Sequence, residues 1–486
     1  MSTNEKTFKK PTPALAGMLM ACIVALLIIG LMLLKTISLH ACLTIAVVFT
    51  CVISKFCLGY SFDELIGFIA DSIKNATFGL WFFFAIGTII ASWMAAGTVP
   101  AIIYYGLGVI SPAVFLPAGL ILCSITALCT GTSWGTIGTV GIALVGIGQG
   151  MGVPLPITGG MILSGAAFGD KMSPVSDTPN LTSMSAGADL HKTIKAMIQT
   201  AAPAYVIALI GFTILGMQFA GVEANLAVAE ETRSVLAANF NLNPIVLLPI
   251  VVLLYLNFKK FPSLPSMAIA VAVGLLVAIV FQGVRLDTAL EYLNSGFTIE
   301  TGSSFVDPIL NRGGIQSMLW TFSIAFIALS LGGLLDRCGY LYALIAGLLS
   351  RAKTVGSLSL VVMVTSILST ASMGETYMGM ILNGTVYKKE FDARGLDRAM
   401  LARLVSEGAL MLAPLMSWTT FGAFAMSTLG VSGFEMAPYA ILNYTMPVVS
   451  VAMSYMGLAV VWNNKKNKGV RKFVDADLSD EPVYET

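Results

Sequence analysis

Long apolar runs, separated by short polar segments, make up most of the chain. A helix needs about 20 apolar residues to cross the hydrocarbon core of a bilayer, and eight of the runs are close to that length. These predicted spans are 14–34, 38–58, 76–97, 196–217, 243–258, 264–283, 317–336 and 436–462. The pattern therefore predicts an all-α polytopic membrane protein.

Four further segments have a different pattern. The segments 155–190 and 398–430 are long enough to cross, but each has a polar middle with a proline, which predicts a broken transmembrane helix. The segments 112–150 and 355–388 are double-length apolar runs with the small polar centres "CTGTSWGT" and "STASMGET". We interpret both as re-entrant helical hairpins, since irregular backbone at membrane depth needs a covering of protein or a water-filled cavity.

Positive charges predict the orientation of the chain. Lys6, Lys9 and Lys10 precede the first span, and cytoplasmic segments carry an excess of Lys and Arg. With ten crossings and no net crossing for a hairpin, both the tail 1–13 and the tail 463–486 lie in the cytoplasm. The segment 218–242 is then an extracytoplasmic loop. The predicted location is the inner (plasma) membrane.

The two halves of the chain resemble each other. "LW.F" recurs at an offset of 239, which also brings Ser133 to Ser372 and Gly135 to Gly374. One hairpin begins outside and the other inside, so the halves 14–217 and 243–462 are predicted to be inverted repeats. Inverted repeats with interrupted helices near the bilayer midplane are typical of secondary transporters.

Composition excludes several other classes of protein. Only 11% of the residues are charged, which predicts the lipid bilayer as the surroundings. The net charge of +1 argues neither for nor against nucleic acid, because the basic residues are scattered through short loops, and nucleic acid is not an expected partner. The seven cysteines show no metal-ligand spacing, and no hydrolase motif is present. We therefore predict neither an enzyme nor a bound cofactor.

Oxygen-bearing side chains are concentrated in the hairpin centres and in the broken helices. A charge at the bilayer centre costs about 2.5–3.5 kcal/mol, so such groups usually line an ion or substrate path. Hard cations such as Na⁺ prefer oxygen ligands. The candidate binding residues are Thr132, Ser133, Thr136, Asp170, Ser173, Ser176, Asp177, Thr178, Asn180, Ser372, Glu375, Thr376, Asn383, Glu407, Ser417 and Thr419. Asp170 and Asp177 are the predicted Na⁺ ligands.

Structural roles are alternatives for the same charged residues. Asp170 and Lys171 are adjacent and can form a structural charge pair across the break. Asp177 can act as a helix N-cap. Glu375 and Glu407 can instead pair with Lys171 or Arg403 and hold helices together.

Two motifs carry a resemblance to a known family. "GTSWGTIGTVG" followed by "SGAAFGDKMSPVSDTPN" resembles the NhaC-type antiporters of the ion-transporter superfamily, and the similarity covers nearly the whole chain. The resemblance implies two opposed hairpins and Na⁺/H⁺ exchange as the activity. Asn180 stands where the family often has a second threonine, which affects the expected ligand set.

The resemblance also implies an alternative substrate. Relatives in the family exchange carboxylates, such as malate for lactate, so a Na⁺- or H⁺-coupled exchanger of small organic anions or amino acids is the second hypothesis. The hairpin tips contain neither Arg nor Lys, which argues against a dicarboxylate.

Competition between ions is the predicted mechanism. Desolvation favours the protonated form of a carboxyl group and a bound cation favours the ionised form, so one group can carry either H⁺ or Na⁺. The polar centres are confined to the hairpins and the broken helices. These four elements are therefore expected to move as one unit against an apolar scaffold, by an elevator or rocking motion, in a homodimer.

Overall fold

A computed structural model describes residues 9–29, 38–109, 111–174, 176–219, 223–259, 261–303, 306–349, 352–467 and 469–473. Within these residues the regular structure is entirely helical apart from two isolated β-bridges, so the predicted all-α class is confirmed. Lys6, the end of the predicted span 14–34 and the last part of the predicted tail 463–486 lie outside the described residues.

The first half of the chain forms ten helices. They are α1 (Pro13–Ile28), α2 (Leu39–Ile53), α3 (Phe62–Ala95), α4 (Thr98–Val109), α5 (Pro112–Thr130), α6 (Ser133–Thr136), α7 (Ile142–Gly150), α8 (Leu155–Met172), α9 (Asp177–Ala186) and α10 (Leu190–Met217). A π-helical segment, Ser54–Leu58, extends α2, and another, Ile137–Gly141, joins α6 to α7. The predicted span 76–97 is the second part of the 34-residue helix α3.

The second half forms thirteen helices within the described residues. They are α11 (Glu223–Asn239), α12 (Leu248–Phe258), α13 (Ser263–Phe281), α14 (Leu286–Ser295), α15 (Asp307–Leu310), α16 (Ile315–Arg337), α17 (Tyr340–Leu349), α18 (Val355–Met373), α19 (Thr376–Ala393), α20 (Arg398–Met411), α21 (Thr420–Leu429), α22 (Gly433–Met436) and α23 (Ile441–Tyr455). The segment 218–242, predicted as a loop, therefore contains a helix, α11.

Several of these helices are long and apolar enough to span a bilayer. In the described part of the chain six qualify singly, and up to nine do if each sharply bent pair counts as one span. One bent pair is α20 with α21, which turns by 42° at the segment that contains Pro414. The protein therefore has the composition and helix lengths of a multi-pass membrane protein.

Helix boundaries repeat between the two halves. Both α5 and α18 have 19 residues, and they start 243 positions apart, at Pro112 and Val355. The helices α9 and α21 have 10 residues each and also start 243 positions apart. These helix starts are therefore offset by 243 and not by the 239 of the sequence comparison, and this offset pairs Ser133 with Thr376 and not with Ser372. Isolated sequence identities do not define register, whereas helix caps do.

Two glycines let α8 lie directly against α5. A Cβ atom on Gly165 would lie 2.6 Å from the carbonyl oxygen of Leu120, and one on Gly169 would lie 2.2 Å from that of Ser124. Neither contact is possible for a larger residue without moving a helix. The close approach brings the end of α8, which carries Asp170, next to the end of the first hairpin helix.

We expect Gly169→Ala to destabilise the protein by about 1–3 kcal/mol, because the added methyl group overpacks the α5–α8 contact. Thermal unfolding of the purified protein measures the effect. Gly67→Ala is the matched control, since Gly67 has open space around it in α3 and alanine favours helix there. An unchanged melting temperature for Gly169→Ala would show that the two helices are not held at this distance.

Candidate functional site

The two hairpin tips are built in the same way. The helix α5 ends at Gly131 (φ 71°) and α18 ends at Gly374 (φ 66°), a left-handed conformation that glycine adopts without strain. The next residue in each tip caps the following helix. Thr132 Oγ1 accepts a hydrogen bond from the Gly135 amide at 3.2 Å, and a Glu375 carboxylate oxygen accepts one from the Met378 amide at 2.8 Å. Each tip therefore exposes side-chain oxygens at a helix start.

The helix breaks are capped as well. The chain leaves α8 at Met172 and re-enters a helix at Asp177, with Ser176 as the N-cap. Asn180 supports this turn, since its amide group donates to the carbonyls of Pro174 and Ser176 at 3.1 and 2.7 Å. In the other half Thr419 caps α21 by accepting from the Gly422 amide at 2.9 Å. Both breaks lie at the positions that the two prolines predict.

Asp170 is the centre of a hydroxyl cluster. Its side chain is buried, with 3% exposure. Ser133 donates to Oδ2 at 2.7 Å, while Ser176 and, at 3.4 Å, Thr178 donate to Oδ1. The three hydroxyls come from the first hairpin, the break and α9. One carboxylate therefore joins three elements whose relative positions define the site.

A small cavity adjoins this cluster. Its volume of about 10 Å³ is close to the space that one water molecule needs. The side chains that can bring oxygen atoms to it are those of Asp170, Ser133, Thr178, Glu375, Thr376 and Tyr377. The Thr376 hydroxyl is buried and has no hydrogen-bond partner among the residues that the structure describes. The cavity thus has the size for one ion and two carboxylates beside it.

A second, larger cavity lies on the other side of Glu375. It has a volume of about 260 Å³ and is lined by both hairpin tips, by α3, α9 and α16, and by Thr420 at the start of α21. Asp177 faces this cavity. It is exposed and is the first residue of α9, while the N-cap predicted for it as an alternative is Ser176. Glu375 lines both cavities.

Each hairpin tip also contacts the broken helix of the other half. Trp134, just after the first tip, stacks on Phe424 of α21 with ring centroids 4.4 Å apart. Glu375 and Thr376 of the second tip share the small cavity with Asp170. The site is therefore assembled from both halves of the chain.

A separate ionic cluster lies beside the site, fully buried. The Lys171 ammonium group is 2.9 Å from one Glu407 oxygen, which also accepts from Thr200 at 2.5 Å, and Arg403 Nε is 3.8 Å from the other. Arg403 also donates to the Ala459 carbonyl at 2.5 Å. Lys171 thus pairs with Glu407 and not with Asp170. Of the two glutamates considered for interhelical pairing, Glu407 has this role, while Glu375 faces the cavities.

The remaining candidates have local structural contacts. Ser173 donates to the Leu128 carbonyl, Thr136 to the Thr132 carbonyl, Ser372 to the Leu368 carbonyl and Asn383 to Ser369 Oγ, while Ser417 accepts from the Gly433 amide. None of these five side chains lines either of the two cavities.

Several cavity residues were not among the predicted ligands. They are Ser72 and Asn75 of α3 and Tyr377 of α19. The polar pair on α3 precedes the predicted span 76–97, so hydropathy alone contained no signal for it. Tyr377 follows two other site residues directly, and this adjacency was the available signal.

Comparison with known proteins supports the same class. The Na⁺/H⁺ antiporter family model matches residues 7–196 and 165–458. A malate-2H⁺/Na⁺-lactate antiporter of Bacillus subtilis is 36% identical over 410 residues, 84% of this chain and 87% of that protein. The Na⁺/H⁺ antiporter NhaC of Alkalihalophilus pseudofirmus is 32% identical over 460 residues, covering 93% and 97% of the two chains.

A third relative is named for a different exchange. The arginine/ornithine antiporter ArcD of Halobacterium salinarum is 34% identical over 451 residues, 92% of this chain and 93% of that protein. The three relatives share most of their length with this chain but differ in what their names say they exchange. Together with the family model and the apolar helices, they show that this chain belongs to the Na⁺/H⁺ antiporter family.

Proposed function

We propose that the chain is a secondary transporter of the cell inner membrane that exchanges Na⁺ for H⁺, and that the two ions compete for Asp170. The observation that carries the proposal is the buried Asp170 carboxylate, which has three hydroxyl partners and borders a cavity of about 10 Å³. In this transporter a proton or a sodium ion can neutralise Asp170, but both cannot do so at once.

The hydroxyl groups around Asp170 fit the site both without and with a bound Na⁺. A serine or threonine hydroxyl has one donor and two acceptor lone pairs. When Asp170 is ionised, Ser133 and Thr178 donate to it. When Na⁺ occupies the small cavity, the same oxygens turn their lone pairs toward the ion, and Asp170, Glu375 and Thr376 supply further oxygens. A change of occupant then needs rotation of hydroxyls and no rearrangement of helices.

The charges around the cavities favour a cation over the organic anion of the second hypothesis. Exchange of malate for lactate, as named for the Bacillus subtilis relative, is favoured by helix N-termini together with an Arg or Lys side chain at the substrate. The described residues that line the larger cavity include Asp177 and Glu375 but no Lys, Arg or His. The nearest buried cations, Lys171 and Arg403, are engaged with Glu407.

Transport in proteoliposomes tests the proposed function. An outward Na⁺ gradient across vesicles that contain the purified protein should acidify the lumen, as reported by an enclosed pH dye, because H⁺ enters as Na⁺ leaves. Protein-free vesicles and vesicles with K⁺ in place of Na⁺ are the controls. A Na⁺ gradient that drives uptake of labelled malate or lactate without moving protons would contradict the proposal.

Two inverted repeats that move as an elevator within a homodimer are the proposed mechanical basis. The 243-residue offset of helix boundaries and the basic segments on the cytoplasmic side support opposite orientations of the halves, with both termini in the cytoplasm. The helices α2, α3, α4, α13 and α16 pack together and form the scaffold in this proposal. A second copy would anchor the scaffold, and crosslinking in bilayers should therefore give dimers.

A disulfide between the moving unit and the scaffold is expected to stop transport. In a variant without the native cysteines, Ile103→Cys and Gly146→Cys join α4 to α7, since a Cβ atom on Gly146 would lie 3.8 Å from that of Ile103. Oxidation should remove exchange activity and reduction should restore it. The control pair, Ser92→Cys with Gly274→Cys, lies inside the scaffold with 3.3 Å between the Cβ atoms and should leave exchange intact. Normal exchange with the first bond complete would exclude the elevator motion.

A further inference from the structure

The larger cavity has far more space than one bare Na⁺ needs. Its volume of about 260 Å³ compares with about 10–15 Å³ of cavity volume for one water molecule, whereas the neighbouring cavity beside Asp170 already has the size of one ion. A site for a single bare cation gains nothing from this extra space. The size fits an organic molecule with a short hydrocarbon chain.

The chemistry of the wall divides into two parts. Asp177 and Glu375 contribute carboxylates, and Asn75, Thr132 and Thr420 contribute further polar groups. The second part of the wall consists of apolar and aromatic side chains. They are Ala76, Phe82, Trp134, Leu329, Tyr377 and Ile381. An apolar surface next to two carboxylates matches a ligand with a charged cationic group and a hydrocarbon part, and is of no use to a hydrated metal ion.

We propose that this cavity binds a small organic cation, namely a protonated amine or guanidine group on a short hydrocarbon chain, with Asp177 and Glu375 as its charge partners. The inference rests on the proposed function, because it places the organic cation next to the ion that Asp170 binds. Hydrogen bonds from an ammonium or guanidinium group to carboxylates are charge-assisted and short, and a planar guanidinium group can bind both oxygens of one carboxylate.

Glu375 connects the two binding events. It lines the cavity of the organic cation and the cavity of the ion. One carboxylate cannot fully neutralise a positive charge on each side, so Na⁺ in the small cavity lowers the affinity of the organic cation, and the reverse also holds. Mutual exclusion of two cations in one site is the condition for exchange. Organic cation and Na⁺ are therefore expected to move in opposite directions.

Binding to the purified protein tests the ligand class. The probes are putrescine and agmatine, which carry only cationic groups, ornithine and arginine, which add a carboxylate, and malate and lactate as anions. We expect saturable binding of at least the two amines by calorimetry, weakened by Na⁺, and no binding of the anions. Binding of malate or lactate, or no binding of any cation, would overturn the inference.

Charge-neutralising variants test the site. Asp177→Asn and Glu375→Gln should each weaken binding of agmatine by about tenfold or more, since a charge-assisted hydrogen bond is lost. The matched controls are Asp63→Asn and Glu300→Gln, which change exposed carboxylates away from the cavity. The thermal unfolding temperature of each variant is measured in parallel. It identifies a variant that fails to bind only because it does not fold. Wild-type agmatine affinity in both folded cavity variants would overturn the assignment of the two carboxylates.

The inference and the proposed function can fail separately. The pH-dye assay with Na⁺ alone reports on Na⁺/H⁺ exchange, and the calorimetric assay without Na⁺ reports on the organic cation. Na⁺/H⁺ exchange without binding of an organic cation would support the proposed function and contradict the inference. Cation binding without any Na⁺ effect on protons removes the proposed function, and the inference then stands only if Na⁺ still weakens agmatine binding.

Discussion

Asp170→Asn is expected to abolish Na⁺/H⁺ exchange in proteoliposomes while the protein still folds. Asparagine has nearly the shape of aspartate. Its amide oxygen can accept from the hydroxyl on one side, and its NH₂ group can donate to the hydroxyl oxygen on the other side, so contacts to Ser133 and Ser176 can persist. It can neither take up a proton nor neutralise Na⁺ at neutral pH. We expect exchange to fall by about 100-fold or more, since the loss of even an outer-shell partner costs a metal site about 10–100-fold in affinity.

A milder variant and a matched control make this test more specific. Ser133→Ala removes one hydroxyl but keeps the charge, so the Na⁺ concentration for half-maximal exchange should rise while exchange persists. Asp63→Asn neutralises an exposed carboxylate at the start of α3 and should behave as the wild type. Wild-type dependence on Na⁺ in a folded Asp170→Asn protein would show that the ions do not compete at this carboxylate.

Glu407→Gln is expected to have the largest effect on stability. Glu407 is the only carboxylate that the described residues place against the buried cations Lys171 and Arg403. Removing one partner of a buried ion pair costs about 3–5 kcal/mol, because a charge is left in low dielectric without compensation. Here the substitution leaves two such charges. Thermal unfolding of the purified protein in detergent should show a large decrease in melting temperature.

The charge balance of the cluster predicts an asymmetry between its members. Lys171→Met leaves Arg403 with Glu407, which is a neutral pair, so it should destabilise the protein less than Glu407→Gln does. Asp287→Asn breaks the exposed pair with Arg285 and should leave the melting temperature unchanged. Equal melting temperatures for Lys171→Met and Glu407→Gln would show that the cluster does not depend on its net charge.

The motif around Asp170 shows how far local sequence predicts a site. The run from Asp170 to Asn180 contains its own helix break, its cap at Ser176 and two of the three hydroxyl partners of the carboxylate. These interactions span at most ten residues, so the polar spacing in an apolar surrounding was enough to single out these residues, although the N-cap alternative was predicted for Asp177 and the cap is Ser176. Its third hydroxyl, Ser133, was also a predicted ligand, because it lies in the polar centre of a predicted hairpin.

The local sequence did not determine the role of each charged residue. Lys171 follows Asp170 directly, but successive helix residues point in different directions, and Lys171 faces Glu407, far away in sequence. Asp177, which appeared equivalent to Asp170, faces a different cavity. The offset of 239 that "LW.F" gives does not extend to the capped helix ends, which repeat at 243.

The sequence by itself determined the all-α class, the two breaks and the family, because apolar length, prolines and caps act over a few residues. Only the tertiary structure decided that Glu375 lies between two cavities and that Asn75 and Tyr377 line the larger one. It also decided that Glu407 is part of an ionic cluster and not a cavity ligand. These positions depend on how helices from both halves pack around the hairpin tips. Such packing joins residues that are far apart in the sequence, so no local pattern predicts it.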